Sequence, residues 1–160
     1  MTETLKLFSA LFFAVFVQLL MTRYAAPFYF LDLPLVAVIY FATYKGKIAS
    51  SFIGSAAGLI QDSVSGLPLG INGFTKTLAG YIVAVISGRL ILESYATQFF
   101  LIFVVSMADS LLKFLLFRIA DQPLSARFIP LSLLQALITA TVGSGLLVGV
   151  RSLERLKKKS

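Results

Sequence analysis

Long, nearly uncharged runs of apolar residues are the feature that most constrains how this chain folds. Several of them approach the length of about 20 residues that an α-helix needs to cross the hydrocarbon core of a bilayer. The chain has 160 residues, of which 58% are apolar and only 13% are charged. We therefore expect an all-α integral membrane protein, with little chain left for a separate soluble domain.

Six apolar segments follow one another through short connections. One polytopic transmembrane domain over residues 1–150 and a basic cytoplasmic tail over residues 151–160 would account for the chain. Asp32 and Pro34 open the second segment, because a carboxylate suits the positive end of a helix dipole and a proline suits a first turn. The first segment lacks a signal-peptide cleavage site and is interpreted as a retained helix. The predicted crossings cover residues 5–21, 32–44, 48–60, 74–92, 95–117 and 128–150.

Lysine and arginine residues are distributed unevenly between the two sides that six crossings create. Short loops rich in these residues stay in the cytoplasm, so Lys45, Lys47, Arg89 and the tail predict that both termini are cytoplasmic. A re-entrant hairpin over residues 48–62 would instead give five crossings and place the tail outside, against this bias. With six crossings, the opposite face keeps Arg23, Lys76, Arg118 and Arg127.

The stretch from Gly58 to Tyr81, GLIQDSVSGLPLGINGFTKTLAGY, is the most polar interruption of the apolar pattern. The third helix is expected to end just before Gln61 and Asp62, which would then lie in a tight turn. A carboxylate near hydrocarbon costs about 2.5–3.5 kcal/mol and usually marks an interaction inside the protein. In the structural interpretation, Asp62 accepts backbone N–H groups left free by the broken helix. The turn itself would be shaped by Gly66, Pro68 and Gly70.

Three motifs in this stretch, GLxQD, SGxPxG and KxxxGY, carry a family resemblance. Their residues are Gly58, Leu59, Gln61, Asp62, Ser65, Gly66, Pro68, Gly70, Lys76, Gly80 and Tyr81. The pattern resembles the central signature of the rod shape-determining membrane protein family MreD. The resemblance implies a multi-pass protein of the bacterial inner membrane, with a fold similar to the substrate-binding (S) subunits of energy-coupling-factor transporters. It also implies a non-enzymatic scaffold or regulatory subunit of the elongasome, which controls rod shape and peptidoglycan synthesis, and a binding partner in the single transmembrane helix of MreC.

Small residues recur every four positions on three of the predicted helices. Such ridges let helix backbones approach closely in a membrane, where lipid provides no hydrophobic force for association. They either pack the protein's own helices together or leave one face for a partner helix, and we expect such a face on the third or fourth segment. The ridges are Ser50, Gly54, Gly58 and Asp62 in the third segment, Gly80, Ala84 and Gly88 in the fourth, and Thr141, Gly145 and Gly149 in the sixth. The predicted partner-binding residues are Gly54, Gly58, Gln61, Asp62, Gly66, Pro68, Gly70, Lys76, Gly80, Tyr81, Ala84 and Gly88.

Asp109 and Lys113 interrupt the fifth apolar segment four residues apart. This spacing places them on one helical face, with the acid toward the amino end, which is the favourable order for an ion pair. Charges inside a membrane tend to pair with one another, although they also mark pathways and cavities. The sequence therefore predicts an intramembrane ion pair that faces protein and not lipid.

Two other functions are compatible with parts of this sequence. Asp62 and Asp109 lie in fragments that superficially resemble the aspartate segments of lipoprotein signal peptidase, but the neighbouring asparagines are absent and six crossings exceed that family's four. The stronger alternative is a vitamin-binding S subunit of an energy-coupling-factor importer, although the outer connections offer few groups to enclose a polar ligand. Cleavage of a lipoprotein precursor would support the first, and thermal stabilisation by a vitamin would support the second.

Cysteine and histidine are both absent from the chain. This absence removes disulfides, thiolate or imidazole metal sites and every triad built on an imidazole base. The sequence predicts no cofactor and no catalytic residue, and the clustering of its cations in loops and tail disfavours nucleic acid as a partner. The tail would contact anionic lipid, at about 1 kcal/mol per basic residue. Contacts with other elongasome membrane proteins, with the filament protein MreB or with a second copy remain open.

Overall fold

The computed structural model describes residues 31–65, 68–88, 94–123 and 127–157, with the backbone alone for residues 151–157. Every regular element in these ranges is an α-helix, so the predicted helical class is confirmed there. The predicted first crossing, residues 5–21, lies outside the described residues, as does Gly66. The helices are α1 (Leu33–Tyr44), α2 (Lys47–Ser65), α3 (Ile71–Ser87), α4 (Tyr95–Ile119) and α5 (Phe128–Lys157).

Helix α1 is short and lies at the centre of the described fold. It begins as predicted, since Pro34 occupies its first turn and the Asp32 carboxylate accepts a hydrogen bond of 3.0 Å from the Leu35 N–H. Its 12 residues extend about 18 Å, less than the thickness of a bilayer core. The helix contacts each of α2, α3, α4 and α5. Apolar residues on nearly all of its sides are therefore buried, as expected for a core helix.

Helices α2 and α3 form a tightly packed hairpin, and the boundary between them differs from the prediction. The third predicted helix was expected to end before Gln61, but α2 continues to Ser65 and includes Asp62 in its last turns. The hydroxyls of Ser63 and Ser65 donate to carbonyls four residues earlier, at 2.8 and 2.7 Å, so these polar residues are accommodated within the helix. Helix α3 begins at Ile71, three residues earlier than predicted, and ends at Ser87.

Helices α4 and α5 form a second, longer hairpin that packs on α1. Segments Tyr95–Ile119 and Phe128–Val150 are long and apolar enough to cross a membrane, by length and composition. Both agree closely with predicted crossings, whereas the other crossings remain predictions. The backbone of α5 continues without a break past Val150 to Lys157, so the first part of the expected tail is helical.

The described fold places charge inside and large apolar side chains outside. Asp32, Lys76 and Asp109 are buried, while Phe52 and Phe100 are 72% and 65% exposed. The larger of two apolar clusters among the described residues lies around α1 and includes Ile39, Val83, Ile102 and Leu147, and a smaller one joins Val38 to Ala57. A large exposed apolar surface over a polar interior is the arrangement that a lipid environment favours.

Candidate functional site

Four charged side chains from three helices meet in the interior. Asp32 precedes α1, Lys76 lies on α3, and Asp109 and Lys113 lie on α4. The Lys76 Nζ is 2.9 Å from Asp32 Oδ2, and the Lys113 Nζ is 2.6 Å from Asp109 Oδ2 and 3.7 Å from Asp32 Oδ2. Lys113 is 14% exposed, and the other three side chains are essentially inaccessible. We call Asp32, Lys76, Asp109 and Lys113 the charge cluster.

The charge cluster joins two features that the sequence presented separately. The i, i+4 spacing of Asp109 and Lys113 predicted their contact, but Asp32 was assigned only to the start of α1. Lys76 was counted among the charges of the side opposite the cytoplasm, and that side remains a prediction; the structure shows its side chain completely buried against Asp32. The charge balance of the sequence could have indicated that these four residues meet, since two acids and two bases in apolar surroundings can neutralise one another only by pairing.

The electrostatics of the charge cluster favour the arrangement in which all four charged groups are paired. Its two carboxylates and two ammonium groups sum to zero charge, which removes the large cost of leaving an isolated charge in a medium of low dielectric constant. The Asp32 N–H also donates to the hydroxyl of Thr139 on α5, at 3.2 Å. The cluster and this bond therefore link α1 to α3, α4 and α5 by polar contacts.

A second polar centre lies where α2 meets α3. Asp62 Oδ2 accepts the backbone N–H groups of Gly70 and Gly73 at 2.8 and 3.1 Å, and Oδ1 accepts the backbone N–H and the Nδ2 of Asn72 at 3.1 and 2.8 Å. The carboxylate thus satisfies donors at the positive end of α3, which have no partner within the helix. Gly70 has a φ of 106°, a backbone angle that favours glycine. Asp62 therefore functions structurally as the cap of α3, reached from the preceding helix.

Small residues bring α2 and α3 into backbone contact. A Cβ atom built on Gly54 or Gly58 would lie closer than 3.0 Å to backbone atoms of Lys76 or Asn72. A Cβ atom on Gly80 would lie 2.5 Å from the Ser50 carbonyl oxygen. These three glycines are buried, and the space beside them is filled by the chain itself.

The small residues of α5 divide into an inward and an outward set. A Cβ atom on Gly143 would lie 2.8 Å from a methyl group of Val36, so this glycine allows close packing on α1. Gly145 and Gly149 are exposed, and the described residues place nothing within 4 Å of a Cβ atom there. With the exposed Thr141 they form the open ridge of α5, which is the sixth-segment ridge expected from the sequence.

A comparison with protein families shows which family the chain belongs to. The sequence matches the family model of the rod shape-determining protein MreD over residues 1–143. The chain belongs to the MreD family. It is therefore a rod shape-determining membrane protein. Comparisons with curated proteins and with solved structures give no match.

The MreD match includes the whole charge cluster and the cap of α3, and it ends at Gly143, before Gly145 and Gly149. The other predicted partner-binding residues differ in their surroundings. Pro68 and Tyr81 are exposed, Gln61 and Ala84 are half-buried, and Gly88 is exposed with nothing described within 4 Å of a Cβ position. The structure thus brings Asp62 and the glycines of α2 and α3 together, and it places Pro68, Tyr81 and Gly88 on the surface.

The two acids considered for proteolysis have separate partners in this MreD-family fold. A catalytic carboxylate pair shares one proton between groups in contact. Here Asp62 accepts four hydrogen bonds at the start of α3, whereas Asp109 pairs with Lys113 in the charge cluster. Both carboxylates therefore stabilise helix packing in the described structure.

Proposed function

We propose that this MreD-family protein is a non-enzymatic scaffold or regulatory subunit of the elongasome that binds the transmembrane helix of MreC. In this proposal its membrane domain crosses the bacterial inner membrane six times, in an arrangement similar to the S subunits of energy-coupling-factor transporters, with both termini in the cytoplasm. Family membership supports the setting in rod-shape control. The buried ion pairs join the protein's helices to one another, and this supports a role as a rigid surface on which another helix docks.

The open ridge of α5 is the observation that carries the docking part of the proposal. Gly54, Gly58 and Gly80 were expected among the partner-binding residues, but α2 and α3 fill the space beside them. In contrast, the described residues leave the backbone uncovered at Gly145 and Gly149, on a helix long enough to cross a membrane. Small residues at such spacing allow a second helix to approach closely and gain dispersion contacts that lipid does not provide.

Co-purification with MreC tests this proposal directly. In Gly145→Leu and Gly149→Leu, a large side chain is added where the described chain leaves space, so the protein should fold normally while a docked helix is displaced. We expect at least tenfold less MreC to be recovered in mild detergent, equivalent to about 1.4 kcal/mol. Ala108→Leu is the matched control, since it adds the same side chain to an exposed position on α4.

Two results would contradict the docking site. Wild-type recovery of MreC by both glycine variants would exclude the open ridge, and equal loss in Ala108→Leu would show that added bulk anywhere on the surface is responsible. Each variant should elute from gel filtration as the wild type does. The predicted topology is tested separately by labelling single cysteines introduced at each terminus, because the chain contains no native cysteine.

A further inference from the structure

An apolar cavity of about 220 Å³ lies between α4 and α5, near the end where these helices are connected. Its walls include Met107, Leu111 and Phe114 from α4, and Phe128 and Ile129 from α5. Leu111 and Ile129 are 61% and 66% exposed, so the cavity opens on the outer surface of the described helices. It is separate from the open ridge, since residue 145 lies about 20 Å along α5 from Ser132 at the cavity.

The chemistry of the cavity favours a hydrocarbon chain over water. The hydroxyl of Ser132, which lines the cavity, donates to the Phe128 carbonyl oxygen at 2.8 Å within its own helix. A bound water needs two to four polar partners, and an apolar cavity of about 150 Å³ is known to stay dry and to bind a small hydrocarbon. A cavity of this volume and lining therefore suits several methylene groups of a long chain.

Two arginine residues lie next to the opening of the same cavity. The guanidinium carbon of Arg118 lies 5.5 Å from the ring centroid of Phe114, and the Phe114 and Phe128 centroids are 5.8 Å apart. Arg127 directly precedes Phe128, and both arginines are exposed. Asp121 in the same connection offsets one of these charges, so the connection retains a net positive charge.

We propose that this cavity is a binding site for an anionic phospholipid of the bilayer. One acyl chain occupies the apolar space between α4 and α5, and the phosphate lies against Arg118 and Arg127. An arginine fork is well suited to the planar, bidentate recognition of phosphate oxygens. The location fits the geometry of a lipid, because α4 and α5 are long and apolar enough to cross a membrane and the arginines lie at their connected ends.

The absence of tryptophan from the chain allows a clean experiment. Ile129→Trp places one fluorophore at the cavity, and Phe100→Trp places one at an exposed position near the opposite end of α4. Each protein is reconstituted in phosphatidylcholine vesicles that contain a small, equal fraction of either phosphatidylglycerol or phosphatidylcholine with brominated acyl chains. Bromine quenches tryptophan on contact, so the difference between the two lipids reports preference for the anionic headgroup.

For Ile129→Trp, the apparent affinity for brominated phosphatidylglycerol should exceed that for brominated phosphatidylcholine by at least about fivefold, the effect of one basic side chain near a lipid surface. Adding Arg118→Gln and Arg127→Gln should abolish this preference, and high salt should weaken it. Phe100→Trp should be quenched equally by both lipids. The arginines are exposed, so circular dichroism of the variants should match that of the parent protein.

Equal quenching of Ile129→Trp by the two lipids would overturn the proposal, as would a preference that survives loss of both arginines. A lack of quenching by either lipid would also overturn it, because another segment of protein would then cover the cavity. A similar preference at Phe100→Trp would show a general enrichment of anionic lipid around the protein, and it would refute a specific site.

Discussion

Replacement of Lys76 by methionine tests whether the charge cluster acts as an energetic unit. Methionine has nearly the length of lysine but no charge, so the change removes the ammonium group with little change in packing. Asp32 would retain Lys113 at 3.7 Å, but that ammonium group already lies 2.6 Å from Asp109. The buried cluster would then carry a net negative charge.

The structure allows the loss to be estimated. With an effective dielectric constant of about 20, Coulomb attraction is about 6 kcal/mol for Lys76 and Asp32 at 2.9 Å and about 4.5 kcal/mol for Lys113 and Asp32 at 3.7 Å. Because the second interaction survives, the net cost is lower than the full attraction. Removing one partner of a buried pair typically costs 3–5 kcal/mol, and we expect about this loss in the free energy of unfolding.

The decisive comparison is a double-mutant cycle with Asp32→Asn. Asparagine retains an oxygen that can cap α1, so this change removes the charge while it preserves the hydrogen bond to the Leu35 N–H. Each single variant leaves an unbalanced charge, whereas the double variant leaves Asp109 and Lys113 as a neutral pair. We therefore expect the double variant to be more stable than either single variant.

Unfolding can be followed by near- and far-UV circular dichroism as the fraction of denaturing detergent in mixed micelles is raised. The reasoning would be refuted if the losses of the Lys76→Met and Asp32→Asn variants added to within about 0.5 kcal/mol, since additivity of that quality marks independent sites. A double variant less stable than both single variants would contradict the expected gain from restoring charge balance. A solvent-facing change such as Lys47→Met, at an exposed position, serves as the control.

Asp109→Leu should lower the melting temperature in detergent more than Asp109→Leu combined with Lys113→Leu, because the double change leaves no unpaired charge; equal losses would show that the two groups do not interact. Gly58→Ala should reduce the free energy of unfolding by about 2 kcal/mol despite the better helix propensity of alanine, because its methyl group would meet the backbone of α3. Gly145→Ala should leave the free energy of unfolding unchanged or raise it by up to about 1 kcal/mol in the same titration, because alanine has the better helix propensity and its methyl group meets nothing among the described residues; a loss equal to that of Gly58→Ala would contradict the open ridge. Asp62→Ala should cost about 2–4 kcal/mol and speed hydrogen exchange at the start of α3, since four donors lose their acceptor; protection equal to wild type would argue against the cap.

Local patterns predicted the features that depend on neighbours in sequence. The start and end of α1 followed from Asp32, Pro34 and the turn at Lys45, and the contact of Asp109 with Lys113 followed from their i, i+4 spacing. The end of α2 was misplaced because polar residues were taken to break the helix. Asp62 instead remains helical, and its carboxylate reaches the backbone donors at the start of α3, eight to eleven residues away.

The amino-acid sequence by itself determined the helical membrane class of the protein, because apolar runs of this length are stable in lipid only when the backbone satisfies its own hydrogen bonds. Only the tertiary structure decided that Lys76 is buried against Asp32, 44 positions away, and that Gly58 is covered while Gly145 is open. Helical periodicity states which residues share a face, but it carries no information about what that face packs against. That choice is made by contacts between distant helices, where backbone approach and charge neutralisation must be satisfied together.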